Sequence, residues 1–270
     1  MIHLSSIALG RVSAAQSARF PFAVPAVATL ERMELTAPVT FLVGENGSGK
    51  STLLEGLAAA TGLPTVGAES AGTDPTLAPQ RELGKALELA WKRRTHRGFF
   101  LRAEDFFGYA KQVSKLKADM SARVAELEEE YSERSSYAKG LAQGPMRGSI
   151  AALEARYGGD LDARSHGQGF LTLFQSRFVP DGLYLLDEPE APLSPQSQLA
   201  LLALISDGVA QSSQFIIATH SPIILAYPGA TIYSFDTTPP ARVQFEELDH
   251  VNLTRSFLND PASFLRHLLS

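Results

Sequence analysis

The segment Gly44-Glu45-Asn46-Gly47-Ser48-Gly49-Lys50-Ser51 satisfies the spacing G-x-x-x-x-G-K-[ST] at every fixed position. It constrains the fold more than any other feature of the chain. Before it, Val39-Thr40-Phe41-Leu42-Val43 is a β-branched and aromatic run that reads as a buried strand. After it, Lys50 to Ala60 is rich in helix formers, stopped by Gly62 and Pro64. Glycines let backbone N–H groups converge without interference from Cβ. The start of a helix adds partial positive charge. Such a turn suits phosphate. Lys50 would bridge β- and γ-phosphates, and Ser51 would offer a hydroxyl to Mg²⁺. The candidate cofactor-binding set is Gly44, Glu45, Asn46, Gly47, Ser48, Gly49, Lys50, Ser51 and Thr52.

A second segment has complementary chemistry. Leu183-Tyr184-Leu185-Leu186 is an apolar strand that ends in Asp187 and Glu188. At the carboxyl edge of a parallel sheet such an end faces the ligand crevice. Asp187 would join Ser51 as a metal residue, through water, because Mg²⁺ keeps several of its waters. Glu188 would orient or deprotonate a water as general base.

Strands are also expected at Phe215–Ala218, Thr231–Phe235 and Val243–Phe245. Phe22–Leu30 is apolar but holds Pro25, which argues for an edge strand or a break. Residues 64–80 read as a loop, and Glu82 to Thr95 as a helix carrying the only tryptophan, Trp91. Phe99-Phe100-Leu101 reads as a short strand. Val113, Leu116, Met120, Val124, Leu127 and Tyr131 form one apolar stripe on a helix from about Asp105 to Arg134. The stripe covers fewer than three heptads, too few for an independent coiled coil. Glycines at 140–169 mark loops, and helix resumes near Thr254. Strands separated by helical segments indicate an α/β protein with a largely parallel sheet.

The two acid and phosphate segments, taken together, resemble those of ABC-type P-loop ATPases. Arg164-Ser165-His166-Gly167-Gln168 resembles the signature motif, and Ile216–Pro222 resembles the strand that carries the switch histidine, His220. Asp187-Glu188-Pro189-Glu190 resembles the extended acidic motif of soluble members, related to chromosome-structure and recombination-repair ATPases. The chain also resembles small bacterial AAA/ABC-like ATPases. The resemblance implies a P-loop NTPase of ABC-ATPase type: a mainly parallel sheet, an N-terminal antiparallel part and a helical insertion lobe. It implies ATP and Mg²⁺ as ligands, ATP hydrolysis, and catalytic roles for Lys50, Glu188 and His220. It also implies a head-to-tail homodimer in which Ser165 and Gly167 of one subunit touch the γ-phosphate held by the other. The nucleotide lobe would comprise 1–80 and 178–270, and the lobe bearing the signature 81–177. Departures are Arg164 and His166 in the signature, Ser194 where the D-loop usually has Asp, and no clear Q-loop glutamine. Glu104 is a substitute for that glutamine, and Phe20 and Phe22 are candidates for stacking on adenine.

With 270 residues and a net charge of −5, the chain is no globally basic nucleic-acid binder. Its basic residues nevertheless concentrate at Lys92, Arg93, Arg94, His96, Arg97 and Arg102, interleaved with Trp91, Phe99 and Phe100, a pattern that suits a nucleic-acid backbone. The absence of cysteine excludes thiol nucleophiles, disulfides and cysteine metal sites. No apolar run is long enough for a membrane span, so a cytoplasmic protein without direct membrane insertion is expected. The functional expectation is an ATP-driven switch acting on nucleic acid or a protein partner, in repair or phage defence. The alternative is the ATPase subunit of a membrane transporter.

Overall fold

The computed structural model describes residues 1–66, 78–157 and 166–269. The chain opens with β1 (Leu4–Leu9), the four-residue α1 (Ala14–Ser17) and α2 (Pro25–Ala28). Pro25 thus starts a helix rather than interrupting a strand. Its ring presets φ, and its missing N–H is one that a helix start leaves unpaired anyway. Next come β2 (Met33–Glu34), β3 (Val39–Val43) and α3 (Lys50–Thr61), which ends on Gly62 in left-handed conformation.

The expected helix over Glu82–Thr95 divides in two. α4 (Ala78–Ala86) is helical, but β4 (Leu87–Trp91) is a strand because it pairs antiparallel with β1. The residue types of β4 tolerate helix, and tertiary pairing decides otherwise. With β2, these strands form a three-stranded sheet in the order β2-β1-β4. β5 (Gly98–Arg102) follows, then the long α5 (Ala103–Glu130) and α6 (Ser136–Tyr157). Of the glycines expected to mark loops, Gly140, Gly144 and Gly148 lie inside α6 with open space at the Cβ position, Gly167 and Gly169 lie inside α7 (His166–Arg177), and Gly158 and Gly159 lie outside the described residues. Lys117 on α5 meets Glu154 on α6 at 2.8 Å, so the two helices form a hairpin.

α7 (His166–Arg177), β6 (Leu183–Asp187), α8 (Pro195–Ala210), β7 (Gln214–Ala218), α9 (Pro222–Leu225), β8 (Thr231–Ser234) and β9 (Ala241–Val243) complete the core. A short 3-10 turn, Phe245–Glu247, leads into α10 (Asp249–Asn259) and α11 (Pro261–Leu268). The main sheet runs β5-β6-β7-β3-β8-β9, parallel except for the β8–β9 pair. β4 and β5 both fall within residues 81–177 yet belong to the two sheets, so beyond the end of α4 the helices of that span are α5 to α7.

Side chains alternate across the main sheet. Phe41, Tyr184, Leu186, Phe215 and Ile217 point into one core with Phe106 of α5, Phe170 of α7 and Leu201 of α8. Leu42, Leu183, Leu185 and Ile216 point into another with Leu53, Leu54 and Leu57 of α3 and Leu4 and Ile7 of β1. Burial on both faces explains why these strands read as continuous apolar runs. Gln214, fully buried, fastens β1 to the sheet. Its carboxamide accepts from His3 N–H at 2.8 Å and Leu4 N–H at 2.9 Å, and donates to the Leu4 carbonyl at 2.9 Å.

Candidate functional site

The loops that follow β3, β6, β7 and β8 converge at one edge of the sheet. Gly44, Gly47 and Gly49 have φ of 144°, 83° and 106°, a region that disfavours side chains. They turn the chain from β3 into α3, whose Gly49 N-cap supplies no side chain to the first-turn amides. Those amides are the usual unpaired donors of a helix start. Lys50 is buried, and its Nζ donates to the Gly44 carbonyl at 2.6 Å, the Glu45 carbonyl at 2.9 Å and Ser48 Oγ at 3.4 Å. Burial lowers its pKa, opposed by the surrounding carboxylates, Glu188 foremost.

Ser51 Oγ donates to Asp187 Oδ1 at 3.1 Å. The contact joins the first turn of α3 to the end of β6. Burial pushes the Asp187 carboxyl up to about 7, partly offset by the Ser51 hydrogen bond. A buried carboxylate beside a hydroxyl is a hard oxygen donor pair, the kind Mg²⁺ takes. Glu188 adopts a positive φ of 49°, its N–H donating to the Ala218 carbonyl at 2.9 Å. Its Oε1 lies 3.8 Å from His220 Nε2. His220 follows β7, and its own N–H donates to Glu190 Oε1 at 2.6 Å. Burial and then the Lys50 charge lower the His220 pKa, favouring neutral imidazole. Burial raises that of Glu190. A cavity of about 290 Å³ is lined by Asn46, Gly47, Gly49, Lys50, Ser51, Thr52 and Glu188. A larger one of about 800 Å³ borders the other side of the loop, reaching His220, Asp236 and His250.

Several expectations change. Ser165 lies outside the described residues, as does Arg164. Gly167 stands in the first turn of α7. It is buried, and a Cβ there would come within 3.0 Å of Ser197 Oγ and 3.3 Å of the Pro192 carbonyl. Its smallness serves packing against α8. Ser194 caps α8, accepting Ser197 N–H at 3.2 Å. Phe22 is buried in the core and cannot stack on a ligand, whereas Phe20 is exposed. Glu104 is exposed and lies 3.6 Å from Arg102. Arg102 does not belong to an open basic patch. It bonds Asp105 at 2.7 Å and Glu55 at 2.9 Å, tying α5 to α3. Phe99 and Phe100 are buried, so they offer no stacking surface beside the exposed Lys92, Arg93, Arg94, His96 and Arg97. Arg93 is held by Asp181 at 2.7 Å. Sequence reasoning missed Asp236, whose Oδ1 accepts the Glu45 N–H at 2.7 Å. Asp236 belongs to none of the motifs read in the sequence, and its partner is a backbone amide.

The profile of the family "AAA domain, putative AbiEii toxin, Type IV TA system" matches residues 81–226, more than half of the chain. The chain belongs to this AAA-domain family. A second AAA-domain profile matches residues 27–74, which include the phosphate loop. No curated protein matches the chain. Among solved structures, "an inward-facing conformation of a putative metal-chelate type ABC transporter" is 18% identical, with 92% of this chain and 86% of that one covered and a TM-score of 0.50. The cbiO1 protein of Clostridium perfringens, part of the ABC transporter complex cbiONQ, is 14% identical over 100% and 99% of the two chains, TM-score 0.48. The SMC head domain from Thermotoga maritima is 13% identical over 90% and 98%, TM-score 0.43. The fold is therefore that of the ABC- and AAA-like P-loop ATPases. Among the described residues, no helix is long and apolar enough to cross a membrane.

Proposed function

We propose that this AAA-domain protein binds ATP with Mg²⁺ at the phosphate loop and hydrolyses it to ADP and phosphate. The observation that carries the reading is convergence. Lys50, Ser51, Asp187, Glu188 and His220 come from three separate strand ends and lie side by side at the phosphate loop: Lys50, Ser51 and Glu188 line one cavity, Asp187 is bonded to Ser51, and His220 stands 3.8 Å from Glu188.

Ser51 and Asp187 would hold Mg²⁺, which supplies charge neutralisation at the phosphate oxygens. Lys50 exchanges its carbonyl partners for β- and γ-phosphate oxygens. Glu188 takes a proton from the attacking water as the water oxygen bonds the γ-phosphorus and the bridging bond to ADP breaks. Neutral His220 contacts the γ-phosphate or that water, and Glu190 fixes it through the backbone. Gly44 to Thr52 supply the remaining contacts. Ser165 and Gly167 are proposed to reach the nucleotide of a second subunit in an ATP-dependent, head-to-tail homodimer. Lobes of 1–80 with 178–270 and of 81–177, the latter helical in α5 to α7, would carry the two halves of that site.

The cellular reading is a cytoplasmic switch acting on nucleic acid or a protein partner. The matched family, whose name refers to a toxin–antitoxin system, supports a defence-type role over a repair role. Glu188→Gln is expected to bind ATP, stop hydrolysis and accumulate dimer, measured by phosphate release and sedimentation. Lys50→Ala is expected to lose ATP binding. Normal phosphate release by Glu188→Gln removes the base assignment, and retained ATP affinity in Lys50→Ala removes the site. ATPase rates with single-stranded DNA, duplex DNA and RNA then identify the partner class, a lack of stimulation pointing to protein.

A further inference from the structure

We propose that Asp236 is a positioning residue for the phosphate loop, holding the Gly44–Glu45 peptide in the orientation that receives nucleotide. The inference rests on reading the loop as a nucleotide site.

Topology brings the carboxylate there. β8 runs parallel to β3 with Val43 opposite Ser234, and the ladder continues as Phe235 N–H donates to the Val43 carbonyl at 2.7 Å. The next residue on each strand end is then Gly44 and Asp236. Asp236 is itself oriented by a local turn. Its N–H donates to Ser234 Oγ at 3.2 Å, and that hydroxyl donates to Oδ2 at 3.4 Å. Oδ1 is left to accept the Glu45 N–H at 2.7 Å.

The other end of the same peptide unit is the Gly44 carbonyl, which accepts from Lys50 Nζ at 2.6 Å. N–H and C=O of a trans peptide point in opposite directions. One peptide group is therefore bracketed by a carboxylate on one side and an ammonium on the other. Each charge-assisted bond fixes the plane that the other uses. When Lys50 leaves for phosphate, the Asp236 bond is what still holds the peptide.

Two effects oppose each other at this residue. The charge of Asp236 repels a triphosphate, and its hydrogen bond orders the loop. Substitution separates them. Asp236→Asn keeps an acceptor oxygen and drops the charge, whereas Asp236→Ala drops both. Asp236 is exposed, so neither change is expected to unfold the protein.

The experiment measures equilibrium binding of a fluorescent ATP analogue with Mg²⁺ to the full chain and its variants, together with hydrogen exchange at the Glu45 amide without nucleotide. Asp236→Ala is expected to bind about tenfold more weakly, the worth of one charge-assisted bond, and to speed exchange at Glu45. Asp236→Asn is expected to keep the wild-type affinity or exceed it, and to keep the protection of Glu45. Wild-type affinity in Asp236→Ala, equal weakening in both variants, or unchanged Glu45 exchange in Asp236→Ala each overturns the positioning role. Failure of the nucleotide reading looks different: the wild type and Lys50→Ala then bind equally poorly, whatever stands at 236.

Discussion

Gly49 is where the loop has least freedom, and replacing it with alanine tests that directly. Its φ of 106° lies where an L side chain is strained, a penalty of about 1–2 kcal/mol. A Cβ there would also stand 2.6 Å from Val24 Cγ1, and overpacking of this kind costs about 1–3 kcal/mol. The sum, about 2–5 kcal/mol, is a large part of an ordinary domain's stability. Gly47 is the internal control. Its φ of 83° is also positive, but a Cβ would meet nothing within 4 Å, so only the strain of about 1–2 kcal/mol applies. Thermal unfolding of Gly49→Ala should drop by about 5–15 °C, and that of Gly47→Ala by a few degrees. Val24 is half-buried, and Val24→Ala alone should cost about 1 kcal/mol. Combined with Gly49→Ala, it removes the offending methyl group. The double variant should therefore be about 1–3 kcal/mol more stable than the two single losses predict. The reasoning fails if the two glycine variants melt together, or if the cycle shows coupling below about 0.5 kcal/mol.

Gln214→Leu should cost about 3 kcal/mol or more in urea unfolding, because the backbone groups of His3 and Leu4 lose their buried partner. Gly98→Ala should be worse. At its φ of 115° a Cβ would run into the Leu183 carbonyl, spreading β5 from β6, and soluble yield or the urea midpoint reads the loss. Glu55 gives a pH test. Burial raises its pKa above the ordinary 4.5 in spite of Arg102. The folded state then holds a proton that the unfolded chain has already released. This contribution to stability is complete below about pH 4.5 and is lost as pH rises through the folded value. Glu55→Gln should flatten the stability profile over that window in urea melts, and an unchanged slope counts against the assignment.

The phosphate loop was legible because its demands are local: glycines where the chain must turn, lysine and serine where the helix begins. The β6 acids were legible for a similar reason, since an apolar run that stops on two carboxylates says where the strand leaves the core. β4 was not, because Leu87 to Trp91 suits a helix until β1 lies beside it. α6 was hidden by Gly140, Gly144 and Gly148, whose cost is offset by packing along α5. The close approach of Gly167 to Ser197 and Pro192 was hidden too, because its motif says nothing of what packs beside it. Asp236 carried no signal at all. Its partner, the Glu45 amide, belongs to the backbone, and backbone partners leave no trace in side-chain spacing.

The positive φ of Glu188 has a consequence for anyone improving this protein. A glutamate held near 49° is less comfortable than glycine or asparagine would be in the same place. Glu188→Gly should therefore relax the backbone while removing the carboxylate. Selection for heat resistance alone would favour such replacements and deliver sturdier, inert protein. Directed evolution of this chain should score turnover alongside melting in every round.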